Sequence, residues 1–393
     1  MLSLLKEKNK TRYNQTRLIK NTSGYGAYFN TKIIYFPSGE SMYKKLLEEL
    51  KKADKFIFLE YFIISRGEVW DNIFEILKEK ARNGVEVRIL VDYIGSMFVL
   101  PRDFEKSLRK NNIKYKIFNP IKIILNVMLN YRDHRKMAII DGKIAFTGGM
   151  NIGDEYINSY SKYGYWKDMG VCLKGDAVYS FTSMFLRMWQ SITKKREDFE
   201  KYKFENKLNE YTGVILPYNS NPEENNDVAQ NVYLSIIDSA KNYVYITTPY
   251  LIIGYEMILA LTLAAKRGVD VRIITPSIPD KKTIQVLTRS HYDKLLDSGV
   301  KIYEYTPGFI HGKTFVSDGE CAVVGTINMD YRSLYLHFEC GVYLYQVPEI
   351  VDIEKDVQET LTKCQRVTLV DCKREKLWMK IYGRVLRLFA PLM

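Results

Sequence analysis

Two histidines, two lysines and two asparagines recur at matched intervals in this chain. His134-Arg135-Lys136 and His311-Gly312-Lys313 each open an H-x-K-x4-D pattern, closed by Asp141 and Asp318. After each aspartate comes a turn of small residues ending in asparagine. The turns are Gly148-Gly149-Met150-Asn151 and Gly325-Thr326-Ile327-Asn328, and the His-to-Asn interval is the same in both copies. The 393 residues include only four histidines, so half of them lie in these motifs. This set of groups suits phosphodiester chemistry that needs no metal. A phosphodiester gathers negative charge on its non-bridging oxygens as phosphorus is attacked. Lys136 and Lys313 supply point charges to those oxygens. Asn151 and Asn328 add neutral amide donors on Gly-rich turns that let the backbone come close. One imidazole attacks phosphorus and forms a phosphohistidine. The other protonates the leaving alcohol and then deprotonates the incoming one, a task that fits an unperturbed pKa of about 6.5.

Position along a strand separates the motif residues into two groups. His and Lys two apart lie on the same strand face, so each copy presents both to one site. The aspartate five residues on is about 17 Å further along an extended strand, too far to touch the same phosphate. Asp141 and Asp318 complete the catalytic motif, but they read as structural groups bonded to backbone or turn at the strand end. Each imidazole also needs a carboxylate behind it to fix its tautomer.

The elements that carry these residues repeat as well. Residues 55–62 read as a strand, about 69–82 as a helix and 84–90 as a strand. In the second half 243–248 reads as a strand, 257–267 as a helix and 268–274 as a strand. Gly-Val-acid-Val-Arg-Ile occurs at the same place in both units. A further helix and strand precede each motif: 104–110 with 114–118, and 282–296 with 301–305. Strands alternating with helices imply α/β halves with mixed, largely parallel sheets. The charged stretch 194–209 and the Asn/Pro/Glu-rich stretch 218–227 mark a boundary, giving domains 1–205 and 206–393. The expected architecture is a pseudo-two-fold pair with the active site at the junction, each half giving one His, Lys and Asn.

Bulk composition narrows the function classes. A hydrophobic content of 46% with 13% aromatics describes a globular protein with sizeable cores. A net charge of +12 calls for an anionic partner, either nucleic acid or acidic lipid. The five cysteines, odd in number and without a C-x-x-C pair, favour reduced thiols over a disulfide framework. His291 and His337 have no metal-ligand spacing, and no metal or cofactor is expected. No signal peptide is seen, and no run reaches the roughly 20 apolar residues that span a bilayer. Two stretches do suggest membrane contact: 119–130, just before the first motif, and 377–393, where basic residues alternate with Trp378, Leu386, Leu388 and Phe389. The latter has the composition of a basic interfacial helix; the competing reading is a terminal helix docked on its domain.

The paired H-x-K-x4-D-x6-G-[GS]-x-N resembles the signature of the phospholipase D superfamily. Within it the chain looks like the bacterial cardiolipin synthases. The likeness rests on Phe58-Leu59-Glu60-Tyr61-Phe62, Asn130 to Lys136, Thr147 to Tyr156, Gly164-Tyr165-Trp166-Lys167-Asp168, Ile246 to Tyr250 and Arg332-Ser333-Leu334. It runs from about residue 25 to the end. The resemblance implies two phospholipase D-like repeats and a phosphatidyl transfer between two phosphatidylglycerols, giving cardiolipin and glycerol without nucleotide energy. It implies His134 as nucleophile, by analogy with relatives that use the first copy, and His311 as acid and base; sequence symmetry allows the reverse. Glu339 resembles the family's orienting acid for one histidine, and Asp168 is the candidate for the other. Anionic phospholipid and the membrane surface are the expected partners, and nucleic acid is not. The expected location is the cytoplasmic face of the cell membrane, as a peripheral protein. Two departures stand out. The two N-terminal transmembrane helices of many family members are missing from this chain, and His337 replaces the usual Asn before Phe-Glu. The same residues would serve a phospholipase D-type hydrolase, and less readily a nuclease, which would leave the apolar stretches unexplained.

Overall fold

The computed structural model describes residues 6–7, 9–120, 130–204, 213–224 and 226–390. The first half supplies β1 (Thr31–Phe36), β2 (Phe56–Tyr61), β3 (Glu86–Asp92), β4 (Lys114–Phe118), β5 (Arg132–Asp133), β6 (Lys136–Ile140), β7 (Ile144–Gly148) and β8 (Gly170–Gly175). The second supplies β9 (Val214–Ser220), β10 (Tyr243–Thr247), β11 (Leu251–Ile252), β12 (Asp270–Pro276), β13 (Lys301–Tyr305), β14 (Thr314–Ser317), β15 (Cys321–Gly325), β16 (Met329–Asp330), β17 (His337–Tyr345) and β18 (Cys364–Val367).

One sheet runs β1-β8-β7-β6-β2-β3-β4. In the other, β9-β17-β15-β14-β10-β12-β13 follows the same order strand for strand, with β18 added at its far edge. Each half is therefore one copy of a single α/β unit. The sheets are mixed, but parallel pairing is a minority within them. It is confined within each unit to β2-β3-β4 and β10-β12-β13, where helices make the crossovers. The remaining ladders of these two sheets inside each unit are antiparallel, and a separate short ribbon, β11-β16, is parallel. An Asp-Gly pair after each motif strand accounts for one of these antiparallel ladders in each unit. Asp141 and Gly142 have φ of 55° and 68°, and Asp318 and Gly319 have 55° and 62°. Two successive residues with positive φ make a tight hairpin, which returns β6 into β7 and β14 into β15.

Helices and apolar faces build three layers of core. Phe58, Met137, Ile139 and Val171 on one sheet meet Val316, Ala322, Val324 and Val342 on the other, joined by Phe181 and Phe185 from the Val178–Thr193 helix. The Gly39–Leu50 and Glu68–Arg82 helices cover the outer face of the first sheet. The Val228–Ser239 and Tyr255–Lys266 helices cover that of the second. The opening helix, Lys10–Ser23, packs on the second unit, where buried Arg12 lies 3.7 Å from Asp318 and 3.2 Å from Glu320. The helix expected over 282–296 is two helices, Lys282–Arg289 and Tyr292–Asp297. The break falls at Ser290, whose hydroxyl bonds back to the Leu287 carbonyl 2.6 Å away, a local bond that competes with the helical ladder. The apolar stretch 121–129 lies outside the described residues, as does the 205/206 boundary.

A candidate active site at the junction of the two repeats

The two units exchange short segments across their junction. β5, which leads into the first motif, pairs with the start of β17 on the other sheet. Reciprocally, Lys167 of the first unit bridges to Ile310, just ahead of the second motif. The backbone N–H of His134 donates to the Phe338 carbonyl at 2.9 Å, and that of His311 donates to the Lys167 carbonyl at 2.7 Å. The next residues after those carbonyls are Glu339 and Asp168. The exchange thus puts a carboxylate from each half behind the histidine of the other.

Side-chain geometry completes this reciprocity. His134 Nδ1 lies 2.8 Å from Glu339 Oε1, and His311 Nδ1 lies 2.8 Å from Asp168 Oδ2. Each carboxylate accepts from Nδ1–H, which leaves Nε2 as the nitrogen with a lone pair for chemistry. Both acids are fully buried. Each is held by further bonds. Asp168 accepts from its neighbour Met169 N–H at 3.0 Å and from Trp166 Nε1–H at 3.4 Å. Glu339 accepts from the Thr326 hydroxyl through Oε2. Gly149 and Thr326 are the same position of the two motif tails. A Cβ on Gly149 would overlap the Asp168 carboxylate, so the glycine makes room for one acid while the threonine anchors the other.

Lys136 and Lys313 are buried beside the histidines. Lys136 Nζ donates to the His134 carbonyl at 2.6 Å, and Lys313 Nζ donates to the His311 carbonyl. Burial pushes the Lys136 amine down to about 8 and that of Lys313 down to about 7. Burial, then the neighbouring lysine charges, holds His134 well below its ordinary value. Burial and Lys313 take His311 down to about 4. Burial would raise Asp168, but its bond and charge contact with His311 win, and it lies below the usual carboxylate range. These shifts leave both imidazoles neutral at pH 7, as a nucleophile must be. An anionic phosphate would oppose these shifts, raising the lysines and the imidazoles as it enters.

The other sequence candidates fall into two groups. Asp141 accepts from the N–H groups of Asp54, Lys55 and Phe56 at 3.0, 2.7 and 2.9 Å. Asp318 accepts from Lys241, Asn242 and Tyr243 at 2.9, 2.8 and 3.0 Å. Both aspartates hold the start of β2 or β10 to the motif hairpin, and neither bonds a site side chain. Asn151 and Asn328 are both buried. Asn151 accepts from Ile63 N–H at 3.1 Å and donates to the Tyr156 hydroxyl at 2.8 Å, while Asn328 Oδ1 has no hydrogen-bond partner.

Sequence reading missed the aromatic walls. Phe62 lies edge-on to His134, with ring centres 4.9 Å apart. Trp166, Tyr156 and Phe309 surround His311 at 5.2, 5.8 and 5.9 Å. It also missed Thr326, although the difference between Gly-Gly and Gly-Thr in the two tails was a signal. His337 is buried with its ring centre 5.5 Å from that of His134 and neither nitrogen hydrogen-bonded. His134, His337 and Glu339 together are the one cluster of three metal-capable side chains among the described residues. His134 and Glu339 already bond each other there.

The fold matches solved structures. A phosphatidylserine synthase from Haemophilus influenzae superposes with a TM-score of 0.73 over 98% of each chain, at 14% identity. Sequence comparison goes further. Residues 46–189 and 233–361 match the family model described as cardiolipin synthase, PLD-like domain. A cardiolipin synthase from a Geobacillus species is 36% identical over 359 residues, 91% of this chain and 71% of the relative. An uncharacterised protein of Streptococcus mutans is 48% identical over 395 residues, 100% of this chain and 85% of the relative. The chain belongs to the cardiolipin synthase family of phospholipase D-like phosphatidyltransferases. Among its described residues, no helix is long and apolar enough to cross a membrane.

Proposed function

We propose that this protein joins two phosphatidylglycerols into cardiolipin, with release of glycerol, through a phosphohistidine on His134. The observation that carries the reading is the pair of imidazoles, each held through Nδ1 by a carboxylate of the opposite repeat. The repeats are residues 1–205 and 206–393. Nε2 of His134 attacks phosphorus, and the P–O bond to glycerol breaks as the N–P bond forms. His311, protonated once the anionic phosphate is in place, gives its Nε2 proton to the departing glycerol oxygen. The hydroxyl of a second phosphatidylglycerol returns a proton to His311 and its oxygen displaces His134. One phosphodiester replaces another, so the exchange needs no outside energy. Lys136, Lys313, Asn151 and Asn328 hold the charged oxygens. Glu339 and Asp168 orient the histidines, and Asp141 and Asp318 hold the strands that carry them. The substrate is anionic phospholipid, reached from the cytoplasmic face of the cell membrane.

The test is incubation with phosphatidylglycerol vesicles, following lipids and free glycerol by mass spectrometry. Cardiolipin and glycerol in equal amounts is the expected result. Phosphatidic acid without cardiolipin would make water the acceptor and overturn the transferase reading. His134→Ala and His311→Ala should each abolish transfer.

A further inference from the structure

The Leu377–Phe389 helix is attached to the protein by a narrow edge. Gly383, Leu386 and Ala390 are its buried positions, set against Ile252 and Leu287. Gly383 lets it approach the Lys282–Arg289 helix closely, since a Cβ there would lie 3.0 Å from Ser290 and 3.3 Å from the Val286 carbonyl. Arg387 fastens the edge by donating to the Ser290 hydroxyl at 2.9 Å. The rest of the helix faces outward. Leu377, Trp378, Ile381, Tyr382, Val385, Leu388 and Phe389 are between 41% and 78% exposed. At about 100° per residue they form one arc of roughly 140°. Lys376, Lys380, Arg384 and Arg387 fall on the arc beyond the buried edge, and Lys373 and Arg374 are exposed just before the helix. A docked terminal helix ordinarily turns its apolar arc inward; this one turns it out, beside a row of cations.

Its location links it to the chemistry. Tyr250 packs on the cluster formed by Leu386 and Ala390, and its ring lies 6.4 Å from that of Phe309. Phe309 in turn stacks 5.9 Å from His311. Pro249, Tyr250, Pro279, Asp280, Lys281, Ile284 and Phe309 line a small cleft that includes Tyr250, which packs on the helix, and Phe309, which stacks on this histidine.

We propose that the Leu377–Phe389 helix is the bilayer-docking element, lying in an anionic lipid surface and presenting the His311 side of the site to it. The arc carries amphipathic aromatics, Trp378 and Tyr382. Its cations flank it at the level of headgroups, and they suit acidic lipid rather than a neutral surface. This deepens the lipid-transferase reading but does not depend on it, because docking is measured without turnover.

The experiment uses the full chain with vesicles of phosphatidylcholine alone or with phosphatidylglycerol. Flotation should favour the phosphatidylglycerol vesicles, and Trp378→Glu with Leu388→Glu should reduce it at least about tenfold. Both sites are exposed, so the fold should persist; circular dichroism checks this. A second readout needs only wild-type protein and Trp378→Phe. The other three tryptophans are buried, so the part of the quenching by brominated lipid that is lost in Trp378→Phe reports Trp378. The double variant should turn over detergent-dispersed phosphatidylglycerol at the wild-type rate but vesicles more slowly. Unchanged flotation of the double variant, or no lipid quenching of Trp378, overturns the proposal. Docking through this helix without any lipid turnover would instead remove the transferase reading and leave the proposal standing.

Discussion

Asp168→Asn and Glu339→Gln look like equivalent changes, yet the structure separates them. Both swap a buried carboxylate behind a histidine for an amide of nearly the same shape. The amide of Asp168→Asn has no satisfactory orientation. With its NH2 towards His311, it opposes the Trp166 N–H and forces the imidazole proton onto Nε2, which removes the base. With its oxygen towards His311, the NH2 meets the Met169 N–H, which in the native protein bonds Oδ1 at 3.0 Å. The amide of Glu339→Gln has an exit. Its partner is the Thr326 hydroxyl, which can turn its proton to the Cys340 carbonyl 3.1 Å away and accept from the new NH2. The amide oxygen then still faces His134 and keeps the correct tautomer. A wrong tautomer behind a catalytic imidazole costs about 10⁴-fold in kcat, roughly 5.5 kcal/mol on the barrier. Asp168→Asn should lose about that much, and Glu339→Gln should lose at least about tenfold less, since only the charge is removed. Initial rates of glycerol release from phosphatidylglycerol measure both. Loss in Glu339→Gln equal to or greater than that in Asp168→Asn would refute this reasoning.

Asp141→Ala or Asp318→Ala should cost about 2–4 kcal/mol of stability, because three backbone N–H groups lose a charged acceptor. Urea unfolding should show the loss, with kcat of the folded protein close to wild type. Gly149→Ala should inactivate by displacing Asp168 from His311, whereas Thr326→Ser, which keeps the hydroxyl, should not; rates of glycerol release compare the two. Stability should also fall on acidification. His311 and His337 are depressed in the fold to about 4, so the unfolded chain binds more protons below about 6.5, and protonation draws the equilibrium towards it. The urea midpoint should therefore decline from pH 6.5 towards 4; a flat profile would contradict the burial of neutral imidazoles.

The motif residues were legible in the sequence because the H-x-K-x4-D spacing recurs, although the expected shared strand face does not hold: His134, His311 and Lys313 lie just ahead of β6 and β14. Both repeats were legible because the strand–helix–strand units carry the same Gly-Val-acid-Val-Arg-Ile. Asp168 and Glu339 could be named, but not matched to their histidines. These acids stand 143 and 205 positions from their partners. Only the exchange of β5 and the Lys167 bridge decides the pairing, and strand exchange leaves no local pattern. The antiparallel β6-β7 and β14-β15 pairs were readable in Asp141-Gly142 and Asp318-Gly319, a strong hairpin signal; the other antiparallel ladders were not. The break at Ser290 was not, since no glycine or proline marks it. The terminal helix joins two sequence readings taken as competitors: it is docked, and its apolar arc remains exposed.

In the proposed mechanism His134 carries the phosphatidyl group within a site both repeats complete. Acid-quenched single turnovers with phosphatidylglycerol, followed by peptide mass spectrometry, test it directly. A phosphatidyl adduct is expected on His134 in the wild-type protein, scarcely formed in His311→Ala, which lacks the acid for the departing glycerol, and missing from His134→Ala. An adduct on His311 alone, or wild-type turnover by His134→Ala, would contradict it.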